Sequence, residues 1–113
     1  MERVQKDAGH LAPYDIEISS EAKRSLDDSP ITKENKRMIA DAIDRLELEP
    51  RPENSLRLVT GENLRRLTVG DYRVVYGIDE NARKIVIERI RHREQAYDEL
   101  VELAKAVKGK YSR

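Results

Sequence analysis

Residues 64–97 read LRRLTVGDYRVVYGIDENARKIVIERIRHREQAY, and this stretch decides the fold. Two runs rich in β-branched and aromatic residues meet at Gly70-Asp71, a pair typical of a tight turn. The polar residues 79–84 then separate them from a third run of similar composition, residues 85–93. Three strands joined by such short loops must be antiparallel neighbours, because a parallel return needs a crossover of about a dozen residues or more.

The N-terminal half predicts one further strand and two helices. Apolar and acidic side chains alternate over residues 14–18, which is typical of a strand with one wet face. Ser19 or Ser20 can cap a short helix that ends before Pro30. A longer amphipathic helix follows a cap at position 32 and is expected to stop at position 50, which is a proline.

The order of elements predicts an α+β domain. Apolar residues recur at helical spacing after Tyr97, at positions 100, 103, 104 and 107, and Gly109 is a natural terminator for that helix. We therefore expect a small antiparallel sheet with two N-terminal helices packed on one side and a C-terminal helix. The domain is expected over residues 14–108, after a mobile lead-in (1–13) and before a short tail (109–113).

Composition limits the chemistry of this chain. Its 113 residues fit one domain, and 38% hydrophobic residues without Phe or Trp predict an aliphatic core. The absence of cysteine excludes disulfides and thiolate metal sites. Because no apolar run approaches a membrane span and no apolar leader is present, we expect a cytoplasmic protein with no membrane partner.

Positive charge is concentrated in the strand region, although the net charge is zero. Residues 1–55 carry 9 Lys or Arg and 13 Asp or Glu, a balance of −4. Residues 56–93 carry 9 Lys or Arg and 5 Asp or Glu, a balance of +4, and all of these cations except Lys84 are arginines. A local excess of this kind indicates a phosphate-binding face.

Strand alternation suggests where these arginines meet. Arg66 and Arg73 lie on strands joined by one turn, so they can be close in the sheet, although parity alone does not prove that they share a face. Arg93 follows the third strand and Tyr97 comes four residues later. Several guanidiniums on one surface repel one another, which destabilises the fold unless an anion is bound. Arginine binds phosphate with two parallel hydrogen bonds. A phosphodiester is the natural counter-charge.

Two short motifs add a resemblance. The Gly70-Asp71-Tyr72-Arg73 element and the His92-Arg93 pair followed by Tyr97 resemble the RelE/ParE toxin superfamily, in particular its mRNA interferase branch. The resemblance covers about residues 14–103 and implies a RelE-like, microbial ribonuclease-like toxin fold. It also implies a type II toxin that cleaves mRNA at the ribosomal A site and is neutralised by a cognate antitoxin.

The resemblance implies roles for individual residues. Arg66, Arg73 and Arg93 would hold the scissile phosphate, and Tyr97 would help to activate the ribose 2′-hydroxyl; no metal or other cofactor is implied. RNA contacts are expected from four further residues: Arg57, Arg65, Arg91 and His92. The chain departs from the family pattern in its zero net charge and in Arg65, Thr68 and Arg91, which stand where an aromatic, a basic residue and a glycine are common.

Other readings stay open on sequence alone. Arg66 and Arg73 can be solvent-facing strand residues paired with Asp71 or Glu88. Tyr97 can simply pack a helix on the sheet, and His92 can be structural, as a single histidine at a strand end usually is. For function, the alternatives are a ParE-like inhibitor of DNA gyrase that acts by binding, or a non-catalytic member of the fold.

Overall fold

A computed structural model describes residues 13–28, 30–58 and 63–95 of the chain. Within these residues the elements follow in the predicted order: β1 (Asp15–Ile18), α1 (Ser20–Asp28), α2 (Lys33–Arg45), β2 (Ser55–Arg57), β3 (Leu64–Val69), β4 (Tyr72–Asp79) and β5 (Lys84–His92). The predicted C-terminal helix, the tail and residues 1–12 of the lead-in lie outside the described residues. Neither α1 nor α2 is long and apolar enough to cross a membrane.

The sheet is mixed, with the strand order β1-β5-β4-β3-β2. The predicted antiparallel hairpins β3–β4 and β4–β5 are present, and β2 adds antiparallel to β3. The sheet was predicted to be antiparallel, but β1 pairs parallel to β5. The pairing runs from Asp15 beside Lys84 to Ile18 beside Ile87. Its parallel direction is possible because α1 and α2 lie in the long connection that follows it.

Both helices begin at side-chain caps. The Ser19 Oγ accepts the backbone N–H three residues further on at 3.0 Å, and the Thr32 Oγ1 accepts that of Asn35 at 3.1 Å. These bonds satisfy N–H groups that a helix leaves unpaired at its start. The longer helix ends at Arg45 and not at Pro50, since the next residue bonds back to the carbonyls of residues 43 and 44 and closes the last turn.

The helices cover one face of the sheet. Thirteen buried residues form this core: Tyr14, Ala22, Ile39, Ile43, Leu46, Leu67, Val69, Val74, Tyr76, Ile78, Ile85, Ile87 and Ile90. A smaller apolar cluster of Leu64, Val75 and Val86 lies on strand positions of the opposite parity, with Leu58 packed against it. The sheet therefore has a helix-covered face and a second face away from α1 and α2.

A β-bulge in β5 changes which residues reach which face. Tyr76 is opposite Ile87, but the next pair is Val75 with Arg89, so Glu88 is the extra residue. The carbonyl of Glu88 accepts hydrogen bonds from the Ser19 Oγ at 3.0 Å and from the Arg89 Nη1 at 2.8 Å. After the bulge, the odd-numbered residues of β5 are in register with Arg73 and Val75, whereas before it they are in register with the core residues Tyr76 and Ile78.

Candidate functional site

Three arginines occupy neighbouring positions on the face away from the helices. The register places Arg66, Val75 and Arg89 in one row across β3, β4 and β5, and places Arg73 in the next row, beside Thr68. Directly paired residues point to the same side of a sheet, so these side chains share one face. We call this surface, defined by Arg66, Arg73 and Arg89 around Val75, the arginine face.

Arg66 carries an unsatisfied donor. Its Nε is buried, and among the described residues it is the only buried side-chain nitrogen or oxygen atom without a hydrogen-bond partner. Leaving such a donor unpaired costs about 1–3 kcal/mol, more when the group is charged. An anion on the arginine face could remove this cost only if the Arg66 side chain turned its Nε outwards, because the atom has no accessible surface in this conformation.

Arg73 is fixed by the β3–β4 turn. Its Nη1 donates to the carbonyls of Gly70 and Tyr72, both at 2.9 Å. Gly70 has a φ of +59°, a left-handed conformation that favours glycine. In the described part of the chain, neither Arg66 nor Arg73 forms an ion pair with Asp71 or Glu88. The structure therefore does not support the alternative in which Arg66 and Arg73 pair with these acids.

Arg93 lies beside the same turn. Its backbone N–H donates to the carbonyl of Asp71 at 2.7 Å, and its Nε is 3.7 Å from the Asp71 Oδ1. Both side chains are exposed, 59% for Arg93 and 68% for Asp71, so the ion pair contributes little to stability. Arg93 is therefore held near Arg73 by its backbone, and its guanidinium is accessible.

Arg91 is opposite Arg73 in the register, but its guanidinium is bound to α1. It donates to the Ser25 Oγ at 2.7 Å and to the Glu21 Oε2 at 2.9 Å, and its side chain is only 15% exposed. The hydrogen bond from Arg91 is the main cause of the lowered pKa of Glu21. Arg91 connects the sheet to α1, which leaves its predicted role in RNA binding without support from its geometry.

His92 lies on the helix-covered face. It is paired with Tyr72, and the two rings meet edge to face with their centroids 5.5 Å apart. The His92 Nδ1 accepts the backbone N–H of Glu94 at 3.3 Å. Both rings line an open groove of about 570 Å³ that also contains Pro30 and Ile31. The predicted RNA contact of His92 thus does not lie on the arginine face.

Arg57 and Arg65 are also on the other face. They are paired with each other across β2 and β3, and Arg65 is opposite the buried Tyr76. The Arg65 Nε donates to the Ser55 Oγ at 3.0 Å, and its Nη2 to the Ser55 carbonyl at 3.3 Å. Because neighbouring strand residues point in opposite directions, Arg65 cannot share a face with Arg66. Contacts of Arg57 and Arg65 to RNA would therefore be made from the other face, and they stay a prediction.

Arg89 was missed by the sequence analysis. Extending the alternation of Ile85 and Ile87 through Arg89 assigns it to the helix-covered face, and only the bulge at Glu88 moves it to the other face. A sequence signal does exist, since Ile90 breaks the odd-numbered apolar pattern. Tyr97 lies outside the described residues, so its position relative to Arg93 stays a prediction. In the described ranges no group of three His, Asp or Glu residues could hold a metal ion.

Comparisons with known proteins agree with this architecture. Residues 16–97 match the family described as the ParE toxin of type II toxin-antitoxin system, parDE. The fold is similar to that of the archaeal RelE-RelB complex from Pyrococcus horikoshii OT3, with 26% identity, a TM-score of 0.62, and coverage of 74% of this chain and 98% of that chain. The toxin-antitoxin complex RelBE2 from Mycobacterium tuberculosis gives 25% identity, a TM-score of 0.63, and coverage of 74% and 94%.

A mutant of the E. coli toxin RelE in the free state shares the fold, with a TM-score of 0.68 at 14% identity and coverage of 84% of this chain and 98% of that chain. No curated protein is significantly similar to the sequence. The matched region includes β1 to β5 and both helices, so the similarity covers all the elements that carry the arginine face.

Proposed function

Because the chain belongs to the ParE toxin family of type II toxin-antitoxin systems, within the RelE/ParE superfamily, we propose that it is a metal-independent endoribonuclease that cleaves mRNA at the ribosomal A site. The observation that carries this proposal is the buried, unpartnered Nε of Arg66 on the same face as Arg73. An RNA phosphate would supply the acceptors that the Arg66 guanidinium lacks once this side chain turns towards the surface. Cleavage on the ribosome would place the protein in the cytoplasm.

The proposed reaction is an attack of the ribose 2′-hydroxyl on the neighbouring phosphorus. The 2′-oxygen bonds to phosphorus and gives a 2′,3′-cyclic phosphate, the bond from phosphorus to the 5′-oxygen breaks, and the departing 5′-oxygen takes its proton from water. Arg66, Arg73 and Arg93 hold the non-bridging oxygens, whose negative charge grows in the transition state. Each well-placed donor of this kind contributes roughly 3–4 kcal/mol to transition-state stabilisation.

Tyr97 is proposed to accept the proton of the 2′-hydroxyl. A free phenol has a pKa of about 10 and is a poor base at neutral pH, but nearby cations stabilise the phenolate. Arg93 precedes Tyr97 by four residues and has an accessible guanidinium. The arginines therefore serve both the phosphate and the base in this proposal.

An antitoxin is the proposed protein partner. The solved relatives from Pyrococcus horikoshii and Mycobacterium tuberculosis are toxin-antitoxin complexes. We extend this to a cognate antitoxin that binds this chain and blocks the arginine face. Since the arginine face is cationic, acidic residues on the antitoxin would complement it.

Inhibition of DNA gyrase is the second candidate function. The family match is to the ParE toxin, and a zero net charge is unusual for a protein that binds RNA unaided. A gyrase inhibitor acts by binding and has no need for an unpartnered arginine beside Arg73. The proposal of a ribonuclease rests on that arginine.

Primer extension on translated mRNA, run beside a gyrase supercoiling assay, tests the two functions. The wild-type protein should produce breaks within codons and leave supercoiling unchanged. Arg73→Ala and Tyr97→Phe should lower cleavage by at least about a hundredfold. Arg37→Ala, an exposed arginine on α2, is the charge-matched control and should cleave normally. Intact mRNA together with blocked supercoiling would support the gyrase inhibitor.

A further inference from the structure

We propose that Arg89 binds a second phosphate of a single-stranded RNA, next to the scissile phosphate; this inference rests on the proposed function. Arg89 is in the same row as Arg66 but two strands away, on the far side of Val75. Neighbouring strands are about 4.8 Å apart, so the backbones of the two arginines are separated by roughly 10 Å. Arg73 lies in the adjacent row, on the strand between them.

The Arg89 guanidinium is directed towards the β5 edge of the sheet. Its Nη1 donates to the carbonyl of Glu88 at 2.8 Å. Arg89 also lowers the pKa of Glu21 on α1, although the hydrogen bond from Arg91 is the larger cause. A side chain held near α1 is poorly placed to share one phosphate with Arg66. It is well placed for a phosphate that lies further along the RNA.

Arg89 keeps donors for such a contact, on an edge of β5 that α1 borders through the bond from the Ser19 Oγ to the Glu88 carbonyl. The pairing of β1 with β5 ends at Ile87, so no strand is paired with this edge of β5 beside Arg89 in the described ranges. A guanidinium has five N–H donors, and the one hydrogen bond that the structure gives to Arg89 goes to a backbone carbonyl. In the described part of the chain Arg89 forms no ion pair.

The RNA would therefore run across the strands. Arg66 and Arg73, on β3 and β4, hold the phosphate that is cleaved, and the chain continues over β5 to Arg89. This path distinguishes a polynucleotide substrate from a mononucleotide, because a ligand with one phosphate would use only the first part of it. Loss of Arg89 should therefore weaken binding of a polynucleotide only, whereas loss of Arg73 should weaken binding of both kinds of ligand.

Binding of 2′-O-methyl RNA, which cannot be cleaved, tests this assignment without the ribosome. Two probes are compared at low salt: a dinucleotide with one phosphate and a fluorescent hexanucleotide with five. Arg89→Ala should weaken the hexanucleotide roughly tenfold and leave the dinucleotide unchanged. For the hexanucleotide, the slope of log K against log salt should be shallower in Arg89→Ala than in the wild type by about 0.7, the value for one contact to a single strand. Arg73→Ala should weaken both probes by the same factor.

Two further variants complete the experiment. Arg89→Lys keeps the charge and should retain the salt slope of the wild type, and Arg37→Ala should bind both probes normally. Equal weakening of both probes by Arg89→Ala would overturn the proposal, because Arg89 would then belong to the scissile phosphate. Unchanged binding of the hexanucleotide would also overturn it. The proposed function is tested separately by primer extension. It would fail if the wild-type protein left translated mRNA intact.

Discussion

The backbone N–H of Arg93 donates a 2.7 Å hydrogen bond to the carbonyl of Asp71, which joins the chain leaving β5 to the turn before Arg73. The pair is close in its side chains as well, with 3.7 Å between the Arg93 Nε and the Asp71 Oδ1. These two contacts have different consequences. The backbone bond positions Arg93, whereas the carboxylate of Asp71 competes with any phosphate for the same guanidinium.

Asp71→Asn should therefore tighten RNA binding by a few-fold. The change removes one negative charge beside Arg93 but keeps the backbone hydrogen bond and the turn. Because the ion pair is exposed, thermal stability should change by no more than about 0.5 kcal/mol. Fluorescence anisotropy with 2′-O-methyl RNA and a thermal melt measure the two quantities. Weaker binding by Asp71→Asn would mean that the carboxylate orients Arg93 and does not compete.

Arg66 and Arg65 form a matched pair of adjacent arginines on opposite faces. Arg66→Ala should abolish cleavage and RNA binding while leaving stability equal or slightly higher, since a buried donor without a partner is removed. Arg65→Ala should keep binding but cost about 1–2 kcal/mol, because two hydrogen bonds to Ser55 are lost. Urea denaturation and the hexanucleotide assay distinguish them. Equal loss of binding in both variants would contradict the assignment of faces.

The closeness of Arg66 and Arg73 could be predicted because it depends on one short hairpin, whereas their shared face follows only from the exact register. A turn at Gly70-Asp71 fixes the register of β3 against β4, and the register fixes the faces. The direction of β1 could not be predicted, since it depends on how α1 and α2 return the chain to the β5 edge. Arg89 was missed for a different reason: one extra residue in a strand inverts every face that follows it.

Deleting Glu88 tests the importance of the bulge directly. Without the extra residue, Arg89 would follow Ile87 directly and still be opposite Val75, and Ile90 would stay in the helix-covered core, because the alternation of β5 becomes regular. The deletion variant should therefore remain folded by circular dichroism and keep its binding of the hexanucleotide. Glu88→Ala keeps the chain length and the bulge and is the matched control. An unfolded deletion variant beside a folded Glu88→Ala variant would show that the fold needs the bulge itself.

Tyr76 provides a test of the core beneath the arginine face. Its hydroxyl donates to the Pro50 carbonyl at 2.7 Å, and burial raises its pKa above the usual 10.0. As the pH rises above about 10, the unfolded phenol loses its proton while the folded one keeps it. The folded state then binds more protons, so stability falls with increasing pH, by at most about 1.4 kcal/mol per pH unit for one group.

Tyr76→Phe should lower stability at pH 7 by about 1–3 kcal/mol, because the partly buried Pro50 carbonyl loses its donor. The same variant should show a smaller decline of stability above about pH 10. Part of the decline should persist through Tyr14, whose pKa is raised by burial and by its hydrogen bond to Glu80. Urea denaturation at several pH values measures both effects. An unchanged alkaline slope would mean that Tyr76 ionises as readily in the folded as in the unfolded chain.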